Sequence, residues 1–115
     1  MLYDDQNIFA KILRGEIPCD KIYEDDFVLS FYDINPQKKI HALVIPKGKY
    51  IDLDDFNTNA SDKEIIGLMK GITTVSKKLG ISSIDGKGYR ALANISDYGG
   101  QEVPHLHFHL FGGEK

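Results

Sequence analysis

The run His105-Leu106-His107-Phe108-His109-Leu110-Phe111 constrains this chain more than any other feature. Polar and apolar residues alternate along most of it. On a β-strand, successive side chains point to opposite faces. Leu106, Phe108 and Leu110 then belong to a core, while three of the chain's four histidines line the other side. The fold must supply a strand with one dry face and one face of imidazoles.

The remaining sequence suggests what packs around that strand. Residues 7–14 place Ile8, Phe9, Ile12 and Leu13 on one helical face, and Gly15 is suited to the turn that ends a helix. Residues 21–24 and 27–33 read as strands around Asp25-Asp26. In the second, Phe27, Leu29 and Phe31 share one face, with Val28, Ser30 and Tyr32 on the other. A third strand, residues 41–46, ends at Pro46. Residues 47–59 form a connection whose Tyr50, Ile51, Leu53 and Phe56 pack onto the sheet.

Ser61 and Glu64 make an S-x-x-E capping box, which predicts a helix over residues 62–79. Ile65, Leu68, Met69, Ile72, Val75 and Leu79 repeat there at helical spacing, with Gly80 as the stop. Gly71 inside this helix costs about 1 kcal/mol relative to alanine, which points to a close neighbour. Residues 89–95 and 105–111 read as the last two strands, separated by a turn at Tyr98-Gly99-Gly100. Short turns make the strands antiparallel, and the long helix covers one face. The expected fold class is an α+β sandwich.

Composition narrows the function. A chain of 115 residues without repeats or a linker is expected to form one domain over residues 1–115. Its 14 basic and 17 acidic residues give a net charge of −3. That argues against nucleic acid as the primary ligand, since a basic face supplies most of such affinity. A small phosphate ligand fits, because backbone N–H groups can hold one. No apolar run approaches the ~20 residues of a membrane span. Residues 1–6 carry no basic cluster, so no secretory or transit leader is expected. The lone Cys19 offers neither an internal disulfide nor a Cys-x-x-Cys clip, and a cytoplasmic location is expected. A core of this size also benefits from dimerisation.

Three chemistries suit a row of imidazoles. It can be a solvated strand face. It can bind a metal, with His41 completing the shell, although no cysteine or carboxylate lies inside the row. Or it can perform nucleophilic catalysis at phosphorus. There, one neutral ring attacks, provided that its other nitrogen donates to an acceptor, and a neighbouring ring protonates the leaving group. The turn over residues 99–103 would then present backbone N–H groups to the phosphate.

His-φ-His-φ-His-φ-φ, with φ hydrophobic, resembles the signature of the histidine-triad (HIT) nucleotide-binding proteins. Gly-Gly-Gln before it and Gly-Gly after it are similar to the Hint branch. The resemblance extends to NIFAKILRGEIPCDKIYEDDFVLSFYDINPQ, HALVIPK and YRALANISDYGGQ, and so to nearly the whole chain. It implies a homodimer whose sheet extends between subunits, with the long helix and the adjoining strand in contact. It also implies a hydrolase of purine nucleoside phosphoramidates, acting on conjugates of AMP or GMP without a cofactor. Dinucleoside polyphosphate hydrolysis and a non-catalytic nucleotide-binding adaptor are the rivals.

The resemblance assigns roles residue by residue. His107 matches the nucleophile, and His109 the group that contacts the phosphate and assists the leaving group. His105 matches a supporting histidine whose carbonyl orients the nucleophile's ring, and His41 the outlying fourth histidine. Asp33 matches the ribose-binding carboxylate. Ile8, Phe9, Ile12, Phe31 and Ile34 match the purine slot. Asn94, Gly100, Gln101 and the Val103 backbone match the phosphate contacts. Glu102 departs from the serine of eukaryotic members and stands as a further contact to the substrate. Longer members carry a C-terminal tail beyond the position of Lys115, which bears on substrate preference. From the residues alone, Ile8, Phe9, Ile12 and Phe31 also read as simple core, Asp33 as an Asx turn, Asn94 as a strand cap and His41 as a satisfied buried histidine.

Overall fold

The computed structural model describes residues 2–115. Its elements are α1 (Ile8–Leu13), β1 (Lys21–Glu24), β2 (Val28–Tyr32), β3 (Ile40–Pro46), α2 (Leu53–Asn59), α3 (Asp62–Lys78), β4 (Arg90–Leu92) and β5 (Phe108–Gly112). The strands form one antiparallel sheet in the order β1-β2-β3-β5-β4. The α+β class inferred from the sequence is the observed one.

One side of the sheet carries α3. Ser61 and Glu64 form the reciprocal capping box at its start, and Gly80 follows its end with φ +72°. Leu68, Ile72 and Val75 are buried against Val28, Ala42, Val44, Leu106 and Leu110. The close neighbour of Gly71 is Val28: a Cβ at position 71 would lie 3.0 Å from a Val28 methyl. One turn earlier, a Cβ at Gly67 would lie 2.5 Å from Phe27 Cγ. This pair of glycines lets α3 lie close against β2, a packing gain that offsets their poor helix propensity. The other side of the sheet carries α1, where Phe9 packs with Leu29, Phe31, Leu43 and Ile45. Among the described residues, no helix is long and apolar enough to cross a membrane.

The structure corrects several expectations. Phe27 packs with the α3 cluster rather than beside Leu29 and Phe31. Its N–H is taken by Asp25 Oδ1 at 2.8 Å in a turn, so it precedes the pleat that begins at Val28. Met69 is 47% exposed beside the exposed Ile66 and lies outside the buried stripe. The connection before α3 contains the helix α2, capped by Asp52 through Asp55 N–H at 2.8 Å. Its apolar residues are too few to show a helical period. β4 pairs only over Arg90–Leu92, at the edge of the sheet with β5 as its single neighbour. The last strand starts its ladder at Phe108, three residues later than the alternation predicts. Pro46, at the end of β3, has no N–H to donate, and the bonds of His105–His107 go elsewhere.

Candidate active site

The strand alternation survives beyond the ladder. Leu106, Phe108 and Leu110 face the α3 cluster, and on the other side His105 and His107 stand against Phe9 of α1. Phe9 stands edge-on to His107, with ring centroids 4.9 Å apart, and His107 is 5.0 Å from His109. His109 is followed on the same face by Phe111, whose ring is parallel to it. His41 joins from β3, where it pairs with Phe111.

Backbone groups determine which nitrogen carries each proton, since a carbonyl only accepts and an N–H only donates. His107 Nδ1 lies 2.8 Å from the carbonyl of His105, so it holds the proton and Nε2 keeps a free lone pair. His105 Nε2 lies 2.9 Å from the carbonyl of Pro46 and must donate. At His41 the logic reverses. Gln37 N–H donates to Nδ1 at 3.2 Å, so the neutral ring carries its proton on Nε2. That proton points to His109 Nδ1 at 3.0 Å, with Asp33 Oδ2 at 3.5 Å. His109 Nδ1 therefore accepts, and its own proton sits on Nε2.

Electrostatics keep these rings neutral. Burial pushes His105 down to about 4. Burial, then the neighbouring His107 and His41, hold His109 at about 4. Burial also lowers His107, although the carbonyl of His105 and the charges of Asp33 and Glu102 oppose it. Burial lowers His41 against the opposing charge of Asp33.

The family model described as the HIT domain matches residues 14–115. This chain belongs to the HIT family. A HIT-like protein of Azospirillum brasilense is 50% identical to it, covering 98% of this chain and 90% of that protein. The purine nucleoside phosphoramidase of Escherichia coli is 41% identical over 95% of this chain and 88% of the enzyme. The solved structure of a HIT family hydrolase from Legionella pneumophila superposes with a TM-score of 0.85 at 35% identity, covering 96% and 95% of the two chains.

Around the HIT motif, the residues singled out from sequence fall into distinct environments. Phe9 and Phe31 are buried and in edge contact, and Ile12 is half-buried beside them. Ile8 and Ile34 are instead 42% and 86% exposed. Asp33 is held at the mouth of the His41 bond, with Oδ1 accepting from Asn35 N–H at 2.8 Å. Asn94 and Val103 are half-buried, and Glu102 is exposed. Gly100 has φ +74°, a conformation that favours glycine. The Gln101 side chain is committed to backbone: it accepts from Ser96 N–H and donates to the carbonyls of Ile51 and Val103. It shapes the turn rather than reaching outward. A groove of about 820 Å³ lies beyond Phe111, lined by Lys38, Lys87 and Arg90 among others.

Asp33, His41 and His109 also place three potential metal ligands within 4.8 Å of one another. The protonation pattern does not suit a metal. A ligating imidazole normally donates from its other nitrogen. Here His41 Nδ1 receives Gln37 N–H, which leaves the proton on the nitrogen that a metal would need. The cluster is a hydrogen-bonded chain. Sequence reasoning did not find Gln37, Pro46 or Tyr3 as neighbours of the imidazoles. Two of these act through backbone atoms, whose positions no side-chain pattern reveals.

Proposed function

We propose that this HIT chain hydrolyses purine nucleoside phosphoramidates through a covalent nucleotidyl-His107 intermediate. The observation that carries this reading is the His107–His105 bond, which leaves Nε2 unprotonated on a ring whose centroid is 5.0 Å from that of His109. In the first step the His107 lone pair bonds to the α-phosphorus as the P–N bond of the substrate breaks. The electron pair leaves on the amine nitrogen, which takes up a proton from solvent while the neutral His109 Nε2–H assists by hydrogen-bonding to that nitrogen. Water then cleaves the nucleotidyl-imidazole, its proton passing to solvent and the bonding pair returning to His107 Nε2, giving a nucleoside monophosphate. His41 Nε2–H keeps His109 Nδ1 supplied with a donor, so that the His109 proton stays on Nε2.

In this reading the Asp33 carboxylate accepts from the ribose hydroxyls. Ile8, Phe9, Ile12, Phe31 and Ile34 flank the purine, with the exposed Ile8 and Ile34 gaining burial when it binds. Asn94 and the backbone around Gly100, Gln101 and Val103 face the phosphate. None of these assigned contacts is Lys or Arg, and Asp33 and Glu102 add negative charge. Such a site suits a monoanionic phosphoramidate with a neutral or cationic amine better than a polyphosphate. The exposed Ile66 and Met69 on α3, together with the open edge of β4, support a homodimer joined on that side. The domain is taken to span residues 1–115, in the cytoplasm, with no cofactor.

The test is mass spectrometry of enzyme quenched during turnover of adenosine phosphoramidate. The expected result is a nucleotidyl adduct on His107. Turnover without that adduct, or His107→Ala at the wild-type rate, would exclude the mechanism. Nucleotide binding by the wild type with no turnover would favour the adaptor.

A further inference from the structure

We propose that Tyr3 is a positioning residue for the triad: its hydroxyl locks the His105 ring, and with it the His105 carbonyl that holds the His107 proton on Nδ1. The proposal rests on the nucleophile reading of His107. It starts from where the sheet stops. β5 begins at Phe108, so the backbone of residues 105–107 is not fixed by strand pairing. Its position is set by Leu106 N–H on the Tyr50 carbonyl, His105 N–H on the Val103 carbonyl, and the two ring nitrogens of His105.

One ring nitrogen, Nε2, donates to the Pro46 carbonyl at 2.9 Å. The other, Nδ1, is therefore bare and lies 2.6 Å from the Tyr3 hydroxyl, which must be the donor. His105 is fully buried, so without that hydroxyl the lone pair would lack any partner from solvent. Burial also raises the Tyr3 hydroxyl above its ordinary range, which keeps its proton in place. Clamped at both ends, the ring cannot tilt, and the carbonyl on the same residue stays aimed at His107 Nδ1, 2.8 Å away.

The segment bearing Tyr3 is itself fastened. Asp5 pairs with Lys49 at 2.8 Å, and its carbonyl accepts from Arg14 at 2.7 Å. Asp4 accepts from Gln6 N–H at 2.8 Å, and its carbonyl accepts from the Asn7 side chain at 2.7 Å. Residues 3–7 thus form a strap over His105, continuous with the helix whose Phe9 contacts His107.

The experiment combines imidazole ¹⁵N spectra with steady-state kinetics, on the wild type and Tyr3→Phe. In the wild type, His105 Nδ1 is expected as a hydrogen-bonded acceptor and His107 as the pure Nδ1–H tautomer. In Tyr3→Phe, His105 Nδ1 loses its donor and His107 populates both tautomers. The rate constant kcat falls by roughly tenfold, the scale of one ordinary hydrogen bond, while the KM for the phosphoramidate holds. A wild-type His105 protonated on Nδ1 would overturn the proposal without any variant. So would Tyr3→Phe with an unchanged His107 tautomer, whatever its activity. If the His107 proton redistributes in Tyr3→Phe but the wild type forms no nucleotidyl adduct, positioning by Tyr3 is supported and the nucleophile reading fails.

Discussion

On the α3 side of the sheet, Val28, Val44, Leu106 and Leu110 are sealed beneath Leu68, Ile72 and Val75, and the contact is apolar packing. On the opposite side, His41, His105 and His107 each have a ring nitrogen against a backbone group, and His109 is bonded to His41. Both faces grow from the same strand. Packing is non-directional, so the first face needs only volume and shape. Hydrogen bonds are directional, and the second face needs each donor matched to its acceptor. One face sets how firmly the chain folds, and the other sets which nitrogen is free to react.

Substitutions on the two sides should separate these properties. The largest expected effect is on activity: His107→Ala lowers kcat/KM by roughly 10³-fold or more, the scale of losing a covalent nucleophile, in a chain that still folds cooperatively. Circular dichroism melting and phosphoramidate turnover on one preparation measure both. Leu68→Ala reverses the pattern. It removes a fully buried side chain and is expected to cost about 2–5 kcal/mol of stability in urea titration, while the folded fraction retains the wild-type kcat. A large fall in kcat there would show that the faces are mechanically coupled.

A smaller contrast lies within the packed face. Gly67→Ala drives a methyl against the Phe27 ring and is expected to destabilise by about 1–3 kcal/mol. Gly71→Ala meets only the Val28 methyls at 3.0 Å and 3.3 Å, and the gain in helix propensity brings it closer to neutral. Equal melting temperatures for the two variants would contradict the close approach of α3 to β2.

A last contrast is the pH dependence of the imidazole face. His105 and His109 fall to about 4 in the folded chain, from 6.5. Between those values the unfolded chain takes up protons that the folded one refuses. Stability is therefore fully present above about pH 6.5 and declines as the pH drops towards 4. Urea midpoints measured at intervals from neutral to acidic pH should fall accordingly, and less steeply in His109→Gln. A midpoint indifferent to pH across that window would mean that the rings are solvated.

Much of this was legible without coordinates, because local chemistry carried it. The Ser61–Glu64 box and Gly80 bound α3, and the alternation of residues 105–111 assigned its two faces. What was missed depended on partners far along the chain. α2 carries its signal in the Asp52–Asp55 cap rather than in a hydrophobic period. Phe27 left the face assigned to it because Asp25 turns its backbone. Gln101 spends its amide on three backbone groups, one of them Ile51, fifty residues away.

By itself the sequence determined the secondary structure that short-range rules can write, and the gathering of three imidazoles on one side of a strand. Only the tertiary structure decided their protonation pattern. His105 receives Tyr3 from 102 residues away, and His41 meets His109 across 68. Donor and acceptor roles are settled by whichever backbone atom the fold brings to each ring, and periodicity holds no record of that meeting.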